Sequence, residues 1–291
     1  MPTDDAALHA ATARLMPARL AEVAATAGQR PPDLVRPFGC VVLGCGDGSL
    51  PEAVAAGHPL ARVWTWDPHV ESVEETLQLR RDAGLTNLEV HERASLPDHL
   101  DGFPVDVVIV NGVIDAVSDG ERLRTSGFID SVLRPGGLLA IDYRTAIGWT
   151  EIQPVVNLMR YVASTYGGDR DASVDHVLHL LRRLRDAKAA YITQRPKVAA
   201  WVDVVLASDP STVEQQYLRN DLRPLSHAQV VQFAGSVGCG FIGTTHDAAT
   251  DLAPALAGIV DGASTRPLRE TYGDLAVRRT QRTDVFRKGV R

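Results

Sequence analysis

Short apolar runs alternate with helical segments along the first half of the chain. Each run is continuous and rich in β-branched and aliphatic residues, which is typical of the buried strands of a parallel sheet. The runs lie at 41–43, 62–67, 87–91, 105–110 and 138–142. Segments of helical spacing separate them, at 50–56, 70–83 and 122–133. This alternation predicts a parallel sheet whose strands are joined by right-handed crossovers.

Helical patterns dominate the second half of the chain. The segments 153–185 and 188–206 carry apolar residues at helical intervals, and Pro196 interrupts the second of them. The remaining predicted elements are helices at 226–237 and 251–260 and strands at 240–245 and 283–288.

The N-terminal residues 3–27 also have helical spacing, and Pro17 is expected to divide them into two short helices. We expect this arm to pack over the sheet, with a lid over a ligand as the alternative. The whole pattern predicts four segments: a helical arm over 1–34, a core over 35–150, a helical insertion over 151–235, and a last helix and strands over 236–291 that complete the sheet.

Composition narrows the class of protein. The chain has 291 residues, of which 45% are hydrophobic, and this suits a globular protein with a sizeable core. Its net charge of -6 argues against a nucleic-acid partner, which usually requires a basic face. Three cysteines without metal spacing, and no apolar segment typical of a signal peptide or membrane span, favour a cytoplasmic protein without a membrane partner.

The first apolar run ends in a glycine cluster, Gly44-Cys45-Gly46-Asp47-Gly48. Glycine lets a backbone come close to a ligand because no Cβ intervenes. The second run ends in Asp67, about 20 residues further on, which is the offset at which a carboxylate accepts hydrogen bonds from ribose hydroxyls. No Lys-Ser/Thr follows the last glycine, so the loop is not a P-loop, and its spacing departs from GxGxxG. Together these features favour a nucleoside-binding site, with a nicotinamide oxidoreductase as a distant alternative.

The segment 41–49, VVLGCGDGS, resembles motif I of the class I S-adenosylmethionine-dependent methyltransferases. Asp67 matches their ribose-binding acid, and Leu-Arg-Pro-Gly-Gly at 133–137 resembles another of their markers. The resemblance implies an α/β fold: a Rossmann-like, seven-stranded, mostly parallel sheet with an antiparallel last strand and helices on both faces. It also implies S-adenosylmethionine as cofactor and methyl transfer as the reaction.

The same resemblance implies a set of cofactor-binding positions. They are Gly44, Cys45, Gly46, Asp47, Gly48, Asp67, Pro68, Arg93, Ala94 and Asn111. Asp47 is expected either to order the loop or to bind the amino group of the cofactor. Arg93 stands where the family carries an acid that contacts adenine, so this chain departs from the pattern there.

Beyond the fifth strand the chain resembles a narrower subgroup with a methyltransferase regulatory region. That subgroup tends to have Tyr-Asn-Thr-x-Pro-Gly-Trp where residues 143–149 read YRTAIGW. The resemblance implies a helical lid and acceptor-facing residues, for which we predict Asn111, Tyr143, Arg144 and Trp149. Asn111 could instead cap the next turn. Because Arg144 replaces a neutral amide, an acceptor with a carboxylate is a further hypothesis.

Two polar clusters receive simpler interpretations. His176 and His179 lie three residues apart on a predicted helix, but without a third ligand we predict no metal site. The basic residues near the C-terminus are interpreted as a solvated face, with an acidic substrate or partner as the alternative. They are Arg266, Arg269, Arg278, Arg279, Arg282, Arg287, Lys288 and Arg291.

We therefore predict methyl transfer to a small-molecule or peptide acceptor, on an O, N or C nucleophile, within a biosynthetic pathway. Two alternatives stay open: a protein-lysine methyltransferase, and a non-catalytic regulatory partner that retains the fold. A homodimer is left open as well.

Overall fold

The structure is a computed structural model that describes residues 11–91, 96, 100, 103–166, 170–218, 222–246 and 252–289. Its strands are β1 (Phe38–Leu43), β2 (Ala61–Trp66), β3 (Leu88–Val90), β4 (Val105–Asn111), β5 (Leu133–Arg144), β6 (Cys239–Thr244) and β7 (Gln281–Lys288). They form one sheet in the order β3-β2-β1-β4-β5-β7-β6.

Strands β1 to β5 pair in parallel, whereas β7 lies antiparallel between β5 and β6. This confirms the predicted seven-stranded, mostly parallel sheet with an antiparallel last strand. The central strand β4 reads VDVVIVN, and its first six residues are buried, as expected for a strand covered on both faces.

Helices precede, separate and follow these strands along the chain. They are α1 (Pro17–Thr26), α2 (Ser49–Gly57), α3 (Val70–Asp82), α4 (Asp119–Val132), α5 (Ala146–Trp149), α6 (Gln153–Thr165), α7 (Arg170–Asp186), α8 (Ala190–Thr193), α9 (Pro196–Ala207), α10 (Pro210–Val213), α11 (His227–Ser236), α12 (Pro254–Asp261) and α13 (Arg266–Val277). Pro17 begins α1 directly after a helical segment at 11–15, so it does divide the arm as predicted. The helix α13 was not predicted.

Alternate side chains of the strands fill two apolar cores, one on each face of the sheet. Val41 and Leu43 lie in one core, while Cys40 and Val42 lie in the other. Helices α4 and α11 cover the first face, and α1 and α2 cover the second. This alternation follows from the two-residue period of a strand.

The chain divides into two compact units. The sheet unit combines residues 1–145 with 225–291, and the helical unit consists of 146–224. The division differs from the predicted insertion of 151–235, because α11 belongs to the sheet unit. Val230 and Ala234 of this helix are fully buried in the apolar core of the sheet.

Aromatic rings and one arginine organise the helical unit. The ring of Tyr217 packs against Trp149 and Trp201, with centroids 5.9 and 5.3 Å away. Arg160 of α6 donates to the carbonyls of Tyr217 and Leu222 at 2.8 and 3.1 Å. These contacts hold the chain that follows α10 against α6.

The basic stretch near the C-terminus is not simply a solvated face. Arg282 is 1% exposed, and its guanidinium pairs with Asp284, Asp274 and Glu270. Lys288 is also buried, and its ammonium lies 2.9 Å from Asp130. The solvated interpretation is therefore wrong for these two residues, because the acids that balance their charges come together only in the folded chain.

Among the described helices, none combines the length and the apolar character needed to cross a membrane.

Candidate active site

The glycine loop lies at the topological switch point, where the order of the strands in the sheet reverses direction. From β1 the chain first builds outward through β2 and β3, and then returns to add β4 on the other side of β1. In open parallel sheets the crevice at such a switch point is the usual ligand site. The loop and the end of β4 meet there, since Asn111 Nδ2 donates to the carbonyl oxygen of Gly44 at 3.1 Å.

Gly44 closes the inner side of the loop. Its φ is +90°, and a Cβ atom here would overlap the backbone oxygen of Asn111 and a methyl group of Val113. A side chain at this position would separate the loop from β4, so glycine is required by close packing.

Gly46 lies on the open side of the same loop. Its φ is +57°, and among the described residues, its two chain neighbours aside, no heavy atom lies within 4 Å of the position that a Cβ would occupy. Since packing within the protein does not exclude a side chain here, the bare backbone faces open space. This is the cradle expected for a ligand that must approach the main chain closely.

Asp67 binds the loop from the end of β2. Its Oδ2 accepts the N–H of Gly46 at 3.1 Å, and its Oδ1 accepts the N–H of His69 at 2.9 Å. The side chain is largely buried. Each carboxylate oxygen has a second lone pair, so the two oxygens could also accept hydrogen bonds from two neighbouring hydroxyls of a ligand.

The other predicted loop residues act mainly on the loop itself. Asp47 Oδ1 accepts hydrogen bonds from the backbone N–H and hydroxyl of Ser49, at 3.1 and 2.7 Å, which orders the start of α2. The Cys45 thiol is buried and donates to the carbonyl of Ser72 at 3.5 Å. Burial, with Asp67 nearby, raises the pKa of this thiol to about 12, so Cys45 offers a ligand only its main chain. Gly48 precedes α2 as its N-cap residue, and Pro68 is half-buried next to Asp67.

Arg93 and Ala94, two of the predicted cofactor-binding positions, lie outside the residues that the structure describes.

At the carboxyl edge of β4 and β5 lies an ion pair that the sequence did not indicate. Asp115 is fully buried, and its Oδ2 accepts the backbone N–H and the Nη1 of Arg144 at 2.9 and 3.2 Å. Burial raises the pKa of Asp115, while the charge and hydrogen bonds of Arg144 act in the opposite direction. Arg144 therefore already has a carboxylate partner within the protein, which weakens the hypothesis that it receives a carboxylate of the acceptor. No local pattern marks Asp115, since its partner comes from the next strand.

Tyr143 is placed in the interior. Its side chain is fully buried, and its hydroxyl donates to Asp284 Oδ2 at 2.7 Å. Burial and the neighbouring Asp284 raise the pKa of this phenol. This placement does not support a direct contact of Tyr143 with an acceptor. Trp149 lies in the helical unit, packed on Tyr217, and is 8% exposed.

Asp284 is the centre of a second buried polar network that the sequence analysis missed. Besides Tyr143 and Arg282, it accepts a hydrogen bond from His227 Nδ1 at 2.8 Å. Burial alone would raise the pKa of Asp284, but His227 and Arg282 together hold that pKa below its ordinary value. The network joins β5, β7 and α11, and it balances the charge of Arg282.

No group of three or more potential metal ligands occurs in the part of the chain that the structure describes. His176, one of the two histidines considered above, stacks on Tyr166 with ring centroids 4.5 Å apart. Its Nδ1 lies 2.6 Å from the carbonyl oxygen of Ala172.

Residues 41–139 match the model of a family described as a methyltransferase domain. The matched range begins in β1 and ends in β5, so it contains the glycine loop, Asp67, Asn111 and Asp115.

Three relatives extend the likeness. The protein sll1526 of Synechocystis sp., described as uncharacterized, is 21% identical over 94% of this chain and 55% of its own. The uncharacterized protein RP789 of Rickettsia prowazekii is 28% identical over 64% of this chain and 33% of its own. The solved structure of PKMT2 from Rickettsia typhi in complex with AdoHcy superposes with a TM-score of 0.76, at 19% identity, over 94% of this chain and 53% of that one.

The structural likeness, at this level of identity, establishes the fold. The match of 41–139 to a methyltransferase domain, on a fold shared with a structure in complex with AdoHcy, supports S-adenosylmethionine as the cofactor. The chain spans about half the length of the Synechocystis protein and of the Rickettsia typhi protein.

Proposed function

We propose that the chain transfers a methyl group from S-adenosylmethionine to a small-molecule or peptide acceptor. The observation that carries this proposal is the open backbone at Gly46, bound to the carboxylate of Asp67 at the switch point of the sheet. A protein that had lost the cofactor would have no need to retain the glycine loop together with Asp67. This favours a catalytic protein over a regulatory partner that only retains the fold.

The residues around the loop fit the cofactor. The main chain of 44–48 would lie against its methionine part, and the unused lone pairs of Asp67 would accept the two ribose hydroxyls. Asn111 holds the loop to β4 and so keeps this surface in place. When bound, S-adenosylmethionine supplies a methyl group on a positively charged sulfur, which is an electrophile with a good leaving group.

The contribution of the protein to such a reaction is mainly alignment and the exclusion of water. A general base is needed only where the acceptor must lose a proton. The proposed biosynthetic role, and the choice between a small molecule, a peptide and a protein lysine, depend on an acceptor that has yet to be identified by experiment.

Calorimetric titration of the purified chain with S-adenosylmethionine and S-adenosylhomocysteine tests the cofactor site. We expect micromolar binding by the wild-type chain, and a Kd raised at least about tenfold by Asp67→Ala, because charge-assisted hydrogen bonds to the ribose are lost. Asp47→Ala is the matched control in the same loop, and its Kd should change less, since its carboxylate is engaged by Ser49. Thermal unfolding of each variant checks that the fold is retained.

Transfer of tritiated methyl groups to panels of small amines, alcohols, peptides and lysine-containing proteins then identifies the acceptor. Absence of cofactor binding by the wild-type chain would contradict the proposal. Binding without transfer to any panel would instead favour the regulatory alternative.

A further inference from the structure

A cavity of about 450 Å³ lies in the sheet unit, between α1, β6, α12 and α13. Strand β6 is four places away from β1 in the sheet. Because neighbouring strands are about 4.8 Å apart, β6 lies about 19 Å from the strand that carries the glycine loop. A cavity of this volume is ordinary for a site that binds a small molecule. It is therefore a candidate for a second ligand site.

Arginines line this cavity, and two of them have no acidic partner in the described part of the chain. The guanidinium of Arg266 lies over the ring of Phe241, 5.1 Å from its centroid, and makes no ion pair there. Arg269 reaches only a backbone carbonyl oxygen, that of Asp261, at 3.5 Å. These two cations are available to a negatively charged ligand.

The acids at the cavity do not neutralise these two arginines. Three of the four that line it are paired with other arginines: Glu22, Glu270 and Asp274. The buried Arg282 takes Glu270 and Asp274, at 2.9 and 2.6 Å. The fourth acid, Asp261, lies at the exposed end of α12. The positive charge of Arg266 and Arg269 is thus left without a counter-ion.

His246 shows that one wall of the cavity is electropositive. Its pKa is lowered to about 4, first by burial and then by the positive charges of Arg14, Arg279 and Arg282, each of which outweighs the opposite effect of Asp284. Neighbouring cations lower the pKa of an imidazole because they disfavour its charged form. The side chain is therefore neutral at pH 7, and the field at this wall is that of the arginines.

Gly243 of β6 allows the elements around the cavity to come close. A Cβ atom here would overlap Cγ1 of Val23 in α1, at 2.7 Å, and would lie 3.4 Å from Nη2 of Arg266. The missing side chain therefore lets α1 and the guanidinium of Arg266 lie against the same stretch of strand.

Helix α12 provides an apolar wall. It reads PALAGIVD, and none of its residues is buried. Ala257 and Val260 of this helix line the cavity, together with Ile242 of β6 and Val23 of α1. Apolar surface of this kind is stabilised when an apolar ligand covers it. The cavity thus offers apolar contacts beside cationic ones.

We propose that this cavity is a second binding site, separate from the cofactor crevice, for a small organic anion with a carboxylate or phosphate group on an apolar body. The guanidiniums of Arg266 and Arg269 hold the anionic group through charge-assisted hydrogen bonds. The apolar body packs between α1 and α12. The inference does not depend on the proposed function, because neither the methyl group nor the glycine loop takes part.

Four phenyl compounds of similar shape test the chemistry of this site. Benzoate and phenylphosphonate carry an anionic group, benzamide is neutral, and benzamidine is a cation. Each is titrated into the full chain labelled with nitrogen-15 in its histidines, and the imidazole signals are followed by NMR. The His246 signal is assigned by its absence in His246→Gln. The signal of His58, the C-cap residue of α2, is assigned in the same way and serves as the reference.

We expect benzoate or phenylphosphonate to shift the His246 signal at millimolar concentration, while the His58 signal stays in place. Benzamide and benzamidine should bind at least about tenfold more weakly, because they lack the negative charge that strengthens hydrogen bonds from arginine. The anion with the lower Kd assigns the anionic group of the ligand. A His246 signal that ignores both anions, or that follows benzamide equally, overturns the inference.

Arg266→Gln should raise the Kd of the preferred anion about fivefold or more, because charge-assisted donors are lost. Arg195→Gln is the matched control, since the guanidinium of Arg195 also lies over an aromatic ring, 4.1 Å from the centroid of Tyr191, but in the helical unit. Its Kd should stay within about twofold of wild type, because distant sites act separately. Equal Kd values in the two variants would refute the anion site.

Saturation with S-adenosylhomocysteine distinguishes the two sites. We expect the Kd of the anion to stay within about twofold of its value without S-adenosylhomocysteine, because β6 and the glycine loop lie far apart in the sheet. Competitive displacement would place the anion in the cofactor crevice and overturn the inference.

Discussion

At the scale of single residues, two glycines of the same loop are required for different physical reasons, which the sequence does not distinguish. Gly44 is required because the loop packs against Asn111 and Val113 of the neighbouring segment. Within the part of the chain that the structure describes, no residue other than its chain neighbours lies near the Cβ position of Gly46, so its positive φ or a ligand is what requires glycine there. The motif alone cannot distinguish these reasons, since both residues are simply glycine.

Gly46→Ala tests the cradle directly. A methyl group here should occupy the space of the cofactor and raise the Kd of S-adenosylmethionine at least about tenfold, measured by calorimetry. The left-handed backbone adds a strain of about 1–2 kcal/mol for any L-residue. Gly84→Ala is the matched control, because Gly84 has a φ of +63° and no described neighbour within 4 Å of its Cβ position, but it follows the C-cap residue of α3.

Both variants should lose similar stability, whereas Gly84→Ala should retain the wild-type Kd within about twofold. If the two variants bind the cofactor equally well, the open space at Gly46 is not the cofactor site.

At the scale of elements, a buried arginine fixes the unpredicted helix α13 to the sheet. Arg282 of β7 reaches Asp274 and Glu270 of α13 while also pairing with Asp284 of its own strand. Thus β7 and α13, which follow one another in the chain, are joined by charge as well as by their connection. A buried pair of this kind is costly to break, since the remaining charges lose their counter-ion.

We expect Arg282→Met to destabilise the chain by about 3–5 kcal/mol, because three carboxylates would lose a common buried partner. Arg185→Met is the control: Arg185 of α7 pairs with Asp203 at 2.8 Å, but both side chains are substantially exposed. Its loss should cost much less, because an exposed ion pair contributes little to stability. Urea denaturation followed by circular dichroism measures both, and similar values would contradict the proposed clamp.

At the scale of the whole molecule, the helical unit begins and ends at neighbouring points of the sheet unit. Thr145 and Leu225 form a β-bridge, and the N–H of Leu225 donates to the carbonyl of Arg144 at 2.9 Å. A short linker could therefore replace residues 146–224 without displacing β5 or α11. Since both apolar cores of the sheet lie in the other unit, we regard that unit as able to fold by itself.

Replacing 146–224 by a short Gly-Ser linker should leave a cooperatively folded protein that binds S-adenosylmethionine within about threefold of the full chain. Circular dichroism and calorimetry measure this. The same linker in place of 227–236 should abolish cooperative unfolding, because Val230 and Ala234 of α11 are buried in the core. A folded second variant, or an unfolded first one, would show that the division into units is wrong.

The strand–helix alternation, the glycine loop and Asp67 could be predicted from the sequence because each rests on local pattern. An apolar run of β-branched residues buries itself on both faces, and a glycine cluster at its end turns the chain toward a helix. The antiparallel last strand followed from family resemblance. The local signals were sufficient for an α/β fold and a nucleoside-binding site, whereas S-adenosylmethionine itself followed from the resemblance.

Only the tertiary structure decided which polar residues face a ligand and which serve the interior. Tyr143 and Arg144 are neighbours in the sequence, yet the buried hydroxyl of Tyr143 donates to Asp284, whereas the guanidinium of Arg144 donates to Asp115. The basic C-terminal pattern gave no sign that Arg282 is buried or that Arg266 lines a cavity. Pairing, burial and cavities depend on contacts between distant segments, and such contacts exist only once the sheet has formed.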